Sequence, residues 1–251
     1  MDRIVYTAMG GAARILEQQA TLSNNMANVG TAGFREQMAI YRSVPLVSEQ
    51  GSLTRVTTVA STPGSNFAQG TMAETGRPLD VAITGEGWFS VQTPNGEAYT
   101  RAGEFGVSPQ GLLITAQGGL PVLSVNGTPV AIPDRGSVTF STDGSVTALG
   151  AGDNPKEIQV VAQLKLVNPK AAAMVRGDDG LFRVNEEIEP PPRPDPAVRL
   201  ISGFVEKSNV SAAETMVGMI ANARRFEMQM KVIQDSSTNE ERANSILSSN
   251  G

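Results

Sequence analysis

Histidine and cysteine are both absent from this chain of 251 residues. Without imidazole there is no Ser-His-Asp triad, no nitrogen metal ligand of the usual kind and no side chain that ordinarily titrates near neutrality. Without thiols there is no disulfide, thiolate nucleophile, iron-sulfur ligand or ordinary structural zinc site. The compartment stays open, because a cysteine-free chain suits oxidising and reducing surroundings alike. Aromatic residues make up only 5%, so a core must be built from aliphatic side chains. Twenty Lys and Arg stand against 25 Asp and Glu, and a net charge of -5 argues against a phosphate-tracking surface and hence against nucleic acid. Long apolar runs are missing too. No window approaches the roughly 20 apolar residues of a membrane span, and the opening MDRIVYTAMGGAARILEQ lacks the apolar stretch of a cleaved signal. Neither G-x-S-x-G nor G-x-x-x-x-G-K-[ST] occurs. Catalysis would rest on Asp, Glu, Lys, Ser, Thr or Tyr alone, and no cofactor or metal is expected.

The clearest positive pattern lies at the two ends. In residues 4-29, Ala8, Ala12, Ile15, Leu22 and Met26 follow helical spacing, Gln19 breaks the series, and Met9 and Leu16 widen the stripe. Gly10 and Gly11 weaken this helix by roughly 1 kcal/mol each relative to Ala. It should stop near Asn28, ahead of Gly30 and Gly33. In residues 208-234, Met216, Ala223 and Met230 occupy one heptad position and Met219, Phe226 and Ile233 the other. This second helix should begin near Ser208 or Ser211, with Ser211 and Glu214 at capping-box spacing, and its last turns should fray after Asp235. Each stripe needs a partner. Small residues such as Ala8, Ala12, Ala212, Ala213, Ala221 and Ala223 would let the two helices approach closely.

Between the helices the pattern is strand and turn. Residues 35-76 carry isolated β-branched patches and read as an extended connector. From 77 onward, WFSVQT, Pro94-Asn95-Gly96 and EAYTR spell a hairpin, and turns follow at Ser108-Pro109-Gln110-Gly111, Gln117-Gly118-Gly119, Asn126-Gly127 and Asp143-Gly144. EIQVVAQLKLV at 157-167 is the longest strand candidate. Regular turn signals of this kind predict an antiparallel all-β sandwich or barrel-like unit. EEIEPPPRPDP at 186-196 can be neither central strand nor helix and is expected to be a surface loop. The fold class expected is α+β and multi-domain: residues 1-34 and 205-251 as terminal helices pairing in a coiled-coil-like bundle, 35-76 as connector and 77-204 as the β domain.

Other candidate chemistry is thin. Asp80, Glu86, Glu97 and Glu104 would offer carboxylates for acid-base work on a β scaffold, and acidic residues in turns and on strand faces are ordinarily just solvated. Asp143-Gly144 and Asp178-Asp179-Gly180 are fragments of calcium-loop patterns without the remaining ligands, and read as turns. Asn126-Gly127-Thr128 and Asn209-Val210-Ser211 match the glycosylation pattern, which is short enough to arise by chance.

Three separated segments then carry a resemblance. Leu22-Ser23-Asn24-Asn25-Met26-Ala27-Asn28-Val29 followed by Thr31, Gly33, Phe34 and Arg35 resembles the N-terminal signature of flagellar basal-body rod and hook proteins. RPLDVAITGEGWFSVQTPNGEAYTRAGEF resembles their shared central β domain, and Ser208-Asn209-Val210 through Lys231-Val232-Ile233 their ending. The short opening, Trp88 and ANARRFEMQMKVI are most similar to the proximal-rod member, with distal-rod or hook subunits as the alternative. Gly30 and Ala32 depart from the common pattern.

The resemblance implies a structural, non-enzymatic protein that leaves the cytoplasm through the flagellar export apparatus without a cleaved signal. It would polymerise in the periplasm, with copies of itself and other rod subunits, into a hollow torque-transmitting shaft whose inner layer is helical and whose outer layer is β. The residues it places at subunit interfaces are Ile15, Leu22, Asn25, Met26, Asn28, Thr31 and Phe34 near the start, and Asn209, Met216, Met219, Ile220, Arg225, Phe226, Met230 and Ile233 near the end. A reading of another class is an independent β-domain ligand binder or hydrolase with a self-contained helical hairpin. Loss of activity on changing Asp80 or Glu104 would mark it.

Overall fold

The computed structural model describes residues 2-45, 56-60, 64-133, 137-149 and 159-249. Two helices, α1 (Asp2–Ala27) and α2 (Ala212–Ser249), enclose a run of short strands, so the chain is α+β. Every strand pair formed among the described residues is antiparallel. The chain divides into two compact units. One is Met1–Asn28, Glu36–Asn66 and Val210–Gly251; the other is Val29–Arg35 and Phe67–Asn209.

In the helical unit α1 ends at Ala27, where the sequence ends it, and α2 starts after Ser211, whose Oγ accepts the Glu214 N–H at 3.4 Å. The helix then runs unbroken to Ser249, past the predicted weak point at Asp235. The two helices pack antiparallel: a Cβ on Gly218 would stand 3.3 Å from Leu22, one on Gly11 would stand 3.0 Å from Gln229, and Asn222 Nδ2 donates to the Ile15 carbonyl between them at 3.4 Å. The expected connector is not one element. Residues 46-55 and 61-63 lie outside the described residues. Of the rest, Gln37–Met38 pairs with Gly64–Ser65 and Tyr41–Pro45 with Val56–Ala60, and all four strands belong with the helices. Backbone-mimicking side chains fasten them. Asn25 donates to the Gln37 carbonyl at 2.9 Å and accepts its N–H at 2.8 Å, and the Tyr41 hydroxyl donates to the Arg14 carbonyl at 3.1 Å.

In the β unit the predicted hairpin forms from Trp88–Thr93 and Gly96–Thr100. Gly96 takes a φ of 106° at the turn, a conformation that suits a residue without Cβ. The hairpin is the centre of a five-stranded sheet, flanked by Leu166–Val167 on one side and by Phe182–Val184 then Met174–Arg176 on the other. Val81–Thr84 pairs with Arg199–Ser202 and Met72–Glu74 with Phe204–Glu206. Ser137–Phe140 joins Ser145–Leu149 and Gln159–Gln163 in a three-stranded sheet. The core between these small sheets is aliphatic with a few Phe, as the composition demands: Val81, Ile83, Phe89, Val91, Leu113, Val122, Val130, Val146 and Leu164 are essentially sealed. A second cluster gathers Trp88, Tyr99, Val167, Met174 and Phe182, with Phe67 edge-on to Trp88 at 5.9 Å.

The longest strand candidate is corrected. Glu157 and Ile158 lie outside the described residues, and the remainder divides between two sheets, because Gln159–Gln163 pairs with Ser145–Leu149 while Leu166–Val167 pairs with Trp88–Phe89. At the crossing, Leu164 N–H donates to Gly144 O and Lys165 N–H to Leu123 O, both at 2.9 Å. Burial explains the switch. Leu164 and Leu166 are core residues, while Val160 and Val161 are exposed, so the strand leaves one packed layer before entering another.

Candidate assembly surface

The seam between α1 and α2 is not the one the heptad reading selects. Met219, Phe226 and Ile233 are half-buried as expected, but the companion position is Thr215, Asn222, Gln229 and Ser236, one residue before Met216, Ala223 and Met230. Thr215, Asn222 and Ser236 are buried and Gln229 is half-buried; Met216 and Met230 stay 50% and 46% exposed. On α1 the facing residues are Ala8, Ala12, Ile15, Gln19, Leu22 and Met26, so Gln19 belongs to the stripe it interrupts. Its Oε1 is buried without a hydrogen-bond partner among the described residues. Small and polar residues thus share the seam with Met219, Phe226 and Ile233, while other bulky apolar residues of α2, Met216 and Met230 among them, are turned outward.

That outward surface is extensive. On α2 it comprises Met216, Val217, Ile220, Met228, Met230 and Val232, and on α1 Tyr6, Met9 and Leu16. An open groove of about 530 Å³ runs along α2 from Phe226 to Thr238. Isolated exposed apolar residues are ordinary, whereas groups of them such as Met216, Val217 and Ile220 are the kind of surface that interaction sites use. Covering the exposed part of each contributes on the order of 1 kcal/mol, to be set against roughly 4–15 kcal/mol for the lost freedom of an associating partner.

The other expected interface residues are placed as follows. In the helical unit Leu22, Ile15 and Met26 are half-buried on the α1 stripe, Asn28 is half-buried at its end with Nδ2 donating to the Asn24 carbonyl at 2.9 Å, and Arg225 is exposed. Asn25, 1% exposed, uses its amide on Gln37 within the subunit. In the β unit Thr31 accepts the Phe34 N–H on its carbonyl, Phe34 is buried under the Arg176 guanidinium at 4.3 Å, and Asn209 Nδ2 donates to the Ala68 carbonyl at 2.8 Å. The signature residues Asn25, Phe34 and Asn209 therefore shape the subunit itself.

Sequence reasoning missed the polar centre of the β unit. Glu206, fully buried, accepts from Arg35 Nη1 at 2.6 Å, from Arg101 Nε at 2.7 Å and from the Gly70 N–H at 2.8 Å. Arg101 also donates to the carbonyls of Gly87, Gly85 and Ile83 at 2.7, 2.9 and 3.2 Å. Burial pushes the Arg101 guanidinium below its ordinary pKa, and the Glu206 carboxylate opposes that shift. Arg176 is lowered by burial alone. The partners of Glu206 lie 171 and 105 residues away in sequence, and no local spacing signals them.

Two of the four carboxylates weighed for catalysis, and two of the turn acids, are in structural use. Asp80 pairs with Arg77 at 2.6 Å, Glu97 with Lys165 at 2.7 Å and Asp179 with Arg183, whose hydrogen bond holds the Asp179 carboxyl below the usual range. Asp143 accepts the Ser145 N–H and hydroxyl, which lowers it likewise. Among the described residues no group of three acidic side chains is arranged to hold a metal ion.

Comparison with known proteins agrees with this architecture. Residues 5–35 match the family described as flagella basal body rod protein, 82–148 the flagellar hook protein FlgE/F/G D1 domain, and 201–246 the flagellar basal body rod FlgEFG protein C-terminal. The chain is 46% identical to the flagellar basal-body rod protein FlgF of Escherichia coli (strain K12), over 99% of each. It is also 46% identical to FlgF of Salmonella typhimurium, again over 99% of each. It is 27% identical to FlgG of Bacillus subtilis over 94% of this chain and 96% of that one. The chain therefore belongs to the FlgF family of flagellar basal-body rod proteins.

Proposed function

We propose that this chain is a proximal-rod subunit that polymerises through its paired terminal helices into a hollow drive shaft, passing exported subunits within and transmitting torque along its length. As a member of its family it is a structural, non-enzymatic component of the flagellar rod that assembles with other axial proteins. The observation that carries the assembly reading is the apolar face left outward on α2. Helices joined by a close-approach seam that leaves apolar residues outward need further cover, and a second layer of helices supplies it. Repeated head-to-tail contacts between like subunits generate an open helical tube, because such an interface need not close on itself. The coiled-coil-like pairing, entry through the flagellar export apparatus without a cleaved signal, and residence in the periplasm belong to the same reading. No described helix is long and apolar enough to cross a membrane. The proximal place rests on 46% identity to FlgF against 27% to FlgG.

The variant Ile220→Asp tests this directly. It puts a charge in the middle of the outward face without touching the α1–α2 seam, so the purified chain should melt within about 1 kcal/mol of the parent, while swimming through soft agar should be abolished in cells that carry it alone. Normal swimming would overturn the use of this face. Limited proteolysis of the dilute monomer gives a second check: both terminal helices are trimmed while the β unit survives, because isolated helices of this kind are marginal. Helices fully resistant in the monomer would contradict assembly-dependent ordering.

A further inference from the structure

Sulfur enters this chain only through methionine, of which there are ten, since cysteine is absent. Histidine is absent too, and the single tryptophan, Trp88, is buried in the second core cluster. The side chains that oxidants ordinarily reach first therefore narrow to methionine. The methionines divide sharply by exposure. Met174 is 9% exposed in the β core, and Met26, Met72 and Met219 are half-buried. Met216, Met228 and Met230 on α2 are all exposed, Met228 to 61%. The other exposed ones among the described residues are Met9 and Met38.

None of the three on α2 belongs to the α1 seam. Met216 and Met230 are fourteen residues apart, a rise of about 21 Å and a turn about 40° short of whole turns, so both point to one side of the helix. Met228 is turned about 120° from Met216. Met230 lines the open groove that begins at Phe226, one turn before it. A thioether suits such a surface because it is apolar, flexible and polarizable. Its sulfoxide is polar and presents an oxygen that accepts hydrogen bonds. Covering that oxygen without a donor costs free energy where the thioether contributed it.

We propose that Met216, Met228 and Met230 are an oxidation site for hydrogen peroxide, and that sulfoxide formed there before assembly withholds the subunit from the rod. A sulfur lone pair attacks one peroxide oxygen, the O–O bond breaks, and the second oxygen leaves with both protons as water. Sulfur loses two electrons and the peroxide gains them. Because the three sulfurs lie on two sides of the helix, a neighbour packing on either side meets at least one modified residue. Methionine sulfoxide is reducible by its reductases, so the block is reversible. The oxidation site stands on exposure alone; the assembly block rests on the rod-subunit reading.

In the purified full chain treated with dilute hydrogen peroxide, fragment-ion mass spectrometry should show Met216, Met228 and Met230 gaining oxygen several-fold faster than Met174. Met174 oxidised as fast as Met228 overturns the site. The variant M216L/M228L/M230L keeps apolar side chains and removes the sulfur. In cells building flagella under sublethal peroxide, the parent chain should fall several-fold in isolated basal bodies relative to untreated cells, while the triple variant holds its level. No fall in the parent, or equal falls in both, overturns the assembly block and leaves the rod reading intact. Absence of the parent chain from untreated basal bodies would instead defeat the rod reading. Should the triple variant fail to assemble without peroxide, the parent decides. Its unassembled copies in treated cells should carry several-fold more sulfoxide at these three positions than its basal-body copies, and equal content overturns the block.

Discussion

Replacing Glu206 by Ala should cost roughly 3–5 kcal/mol, the range for removing one partner of a buried ion pair. For a domain whose whole stability is about 5–15 kcal/mol, that takes the β unit close to unfolding. The cause is what remains. Arg35 and Arg101 are 2% exposed, and without the carboxylate their two positive charges face each other in a site that water does not enter. Arg101 keeps three backbone carbonyls as acceptors, whereas the bond from Arg35 to Glu206 is its contact with an anion. The loss should therefore be partly recovered in Glu206→Ala combined with Arg35→Met, which removes the more poorly compensated cation and fills its volume. Urea unfolding of the full chain, followed by circular dichroism, measures both. If Glu206→Ala shifts stability by less than about 1 kcal/mol, the size of an ordinary surface change, the cluster does not hold the unit together. Equal losses in the single and double variants would show that charge repulsion is not the cause.

The position of this cluster explains why so large a cost is placed there. Glu206 closes the strand that leads out of the β unit, and Arg35 ends the short segment 29–35 that passes through it. The Gly33 N–H donates to the Glu206 carbonyl at 2.8 Å, so backbone and side chain together tie the segment's arrival to the departure toward α2. Both stretches by which the chain enters and leaves the β unit are thereby fixed to one body.

What was legible in the sequence divides along the same physical line. Local rules fixed what local chemistry decides: the end of α1 ahead of Gly30, the Ser211 cap, and turns at Gly111, Gly118, Gly127 and Gly144, all of which adopt positive φ. The run at 157-167 spells one strand because alternation continues through Leu164 and Leu166, but the pairing partner changes there, and partner choice depends on strands far away in sequence. The α2 seam lies one residue before the heptad that hydrophobicity selects. Hydrophobicity assigns Met216 and Met230 to the inside, but close approach to the small residues of α1 admits Thr215, Asn222 and Ser236 instead, and the methionines are spare for another partner. Of the expected interface residues, Met216, Ile220, Arg225 and Met230 are exposed, while Asn25 and Phe34 are buried in contacts within their own units.

Among glycines of the signature region, Gly33→Ala should be severely destabilising and Gly30→Ala nearly silent. Gly33 has a φ of 67°, and an added Cβ would lie 2.3 Å from both Ala102 N and Arg101 C. The left-handed conformation alone costs an L-residue about 1–2 kcal/mol. The contact is worse, because those atoms are backbone and cannot rotate aside; relief requires moving residues 101 and 102, and with them the guanidinium that Glu206 binds. At Gly30 a Cβ meets nothing within 4 Å, and Gly10 in α1 is equally open. Gly10→Ala should even stabilise by about 0.5–1 kcal/mol through helix propensity. Thermal unfolding of the three single variants provides the comparison. The expected order is Gly10→Ala above the parent, Gly30→Ala level with it, and Gly33→Ala several kcal/mol below. A Gly33→Ala protein as stable as Gly30→Ala would mean that the segment 29–35 detaches from the β unit at little cost, and the Glu206 cluster could not then be what anchors it.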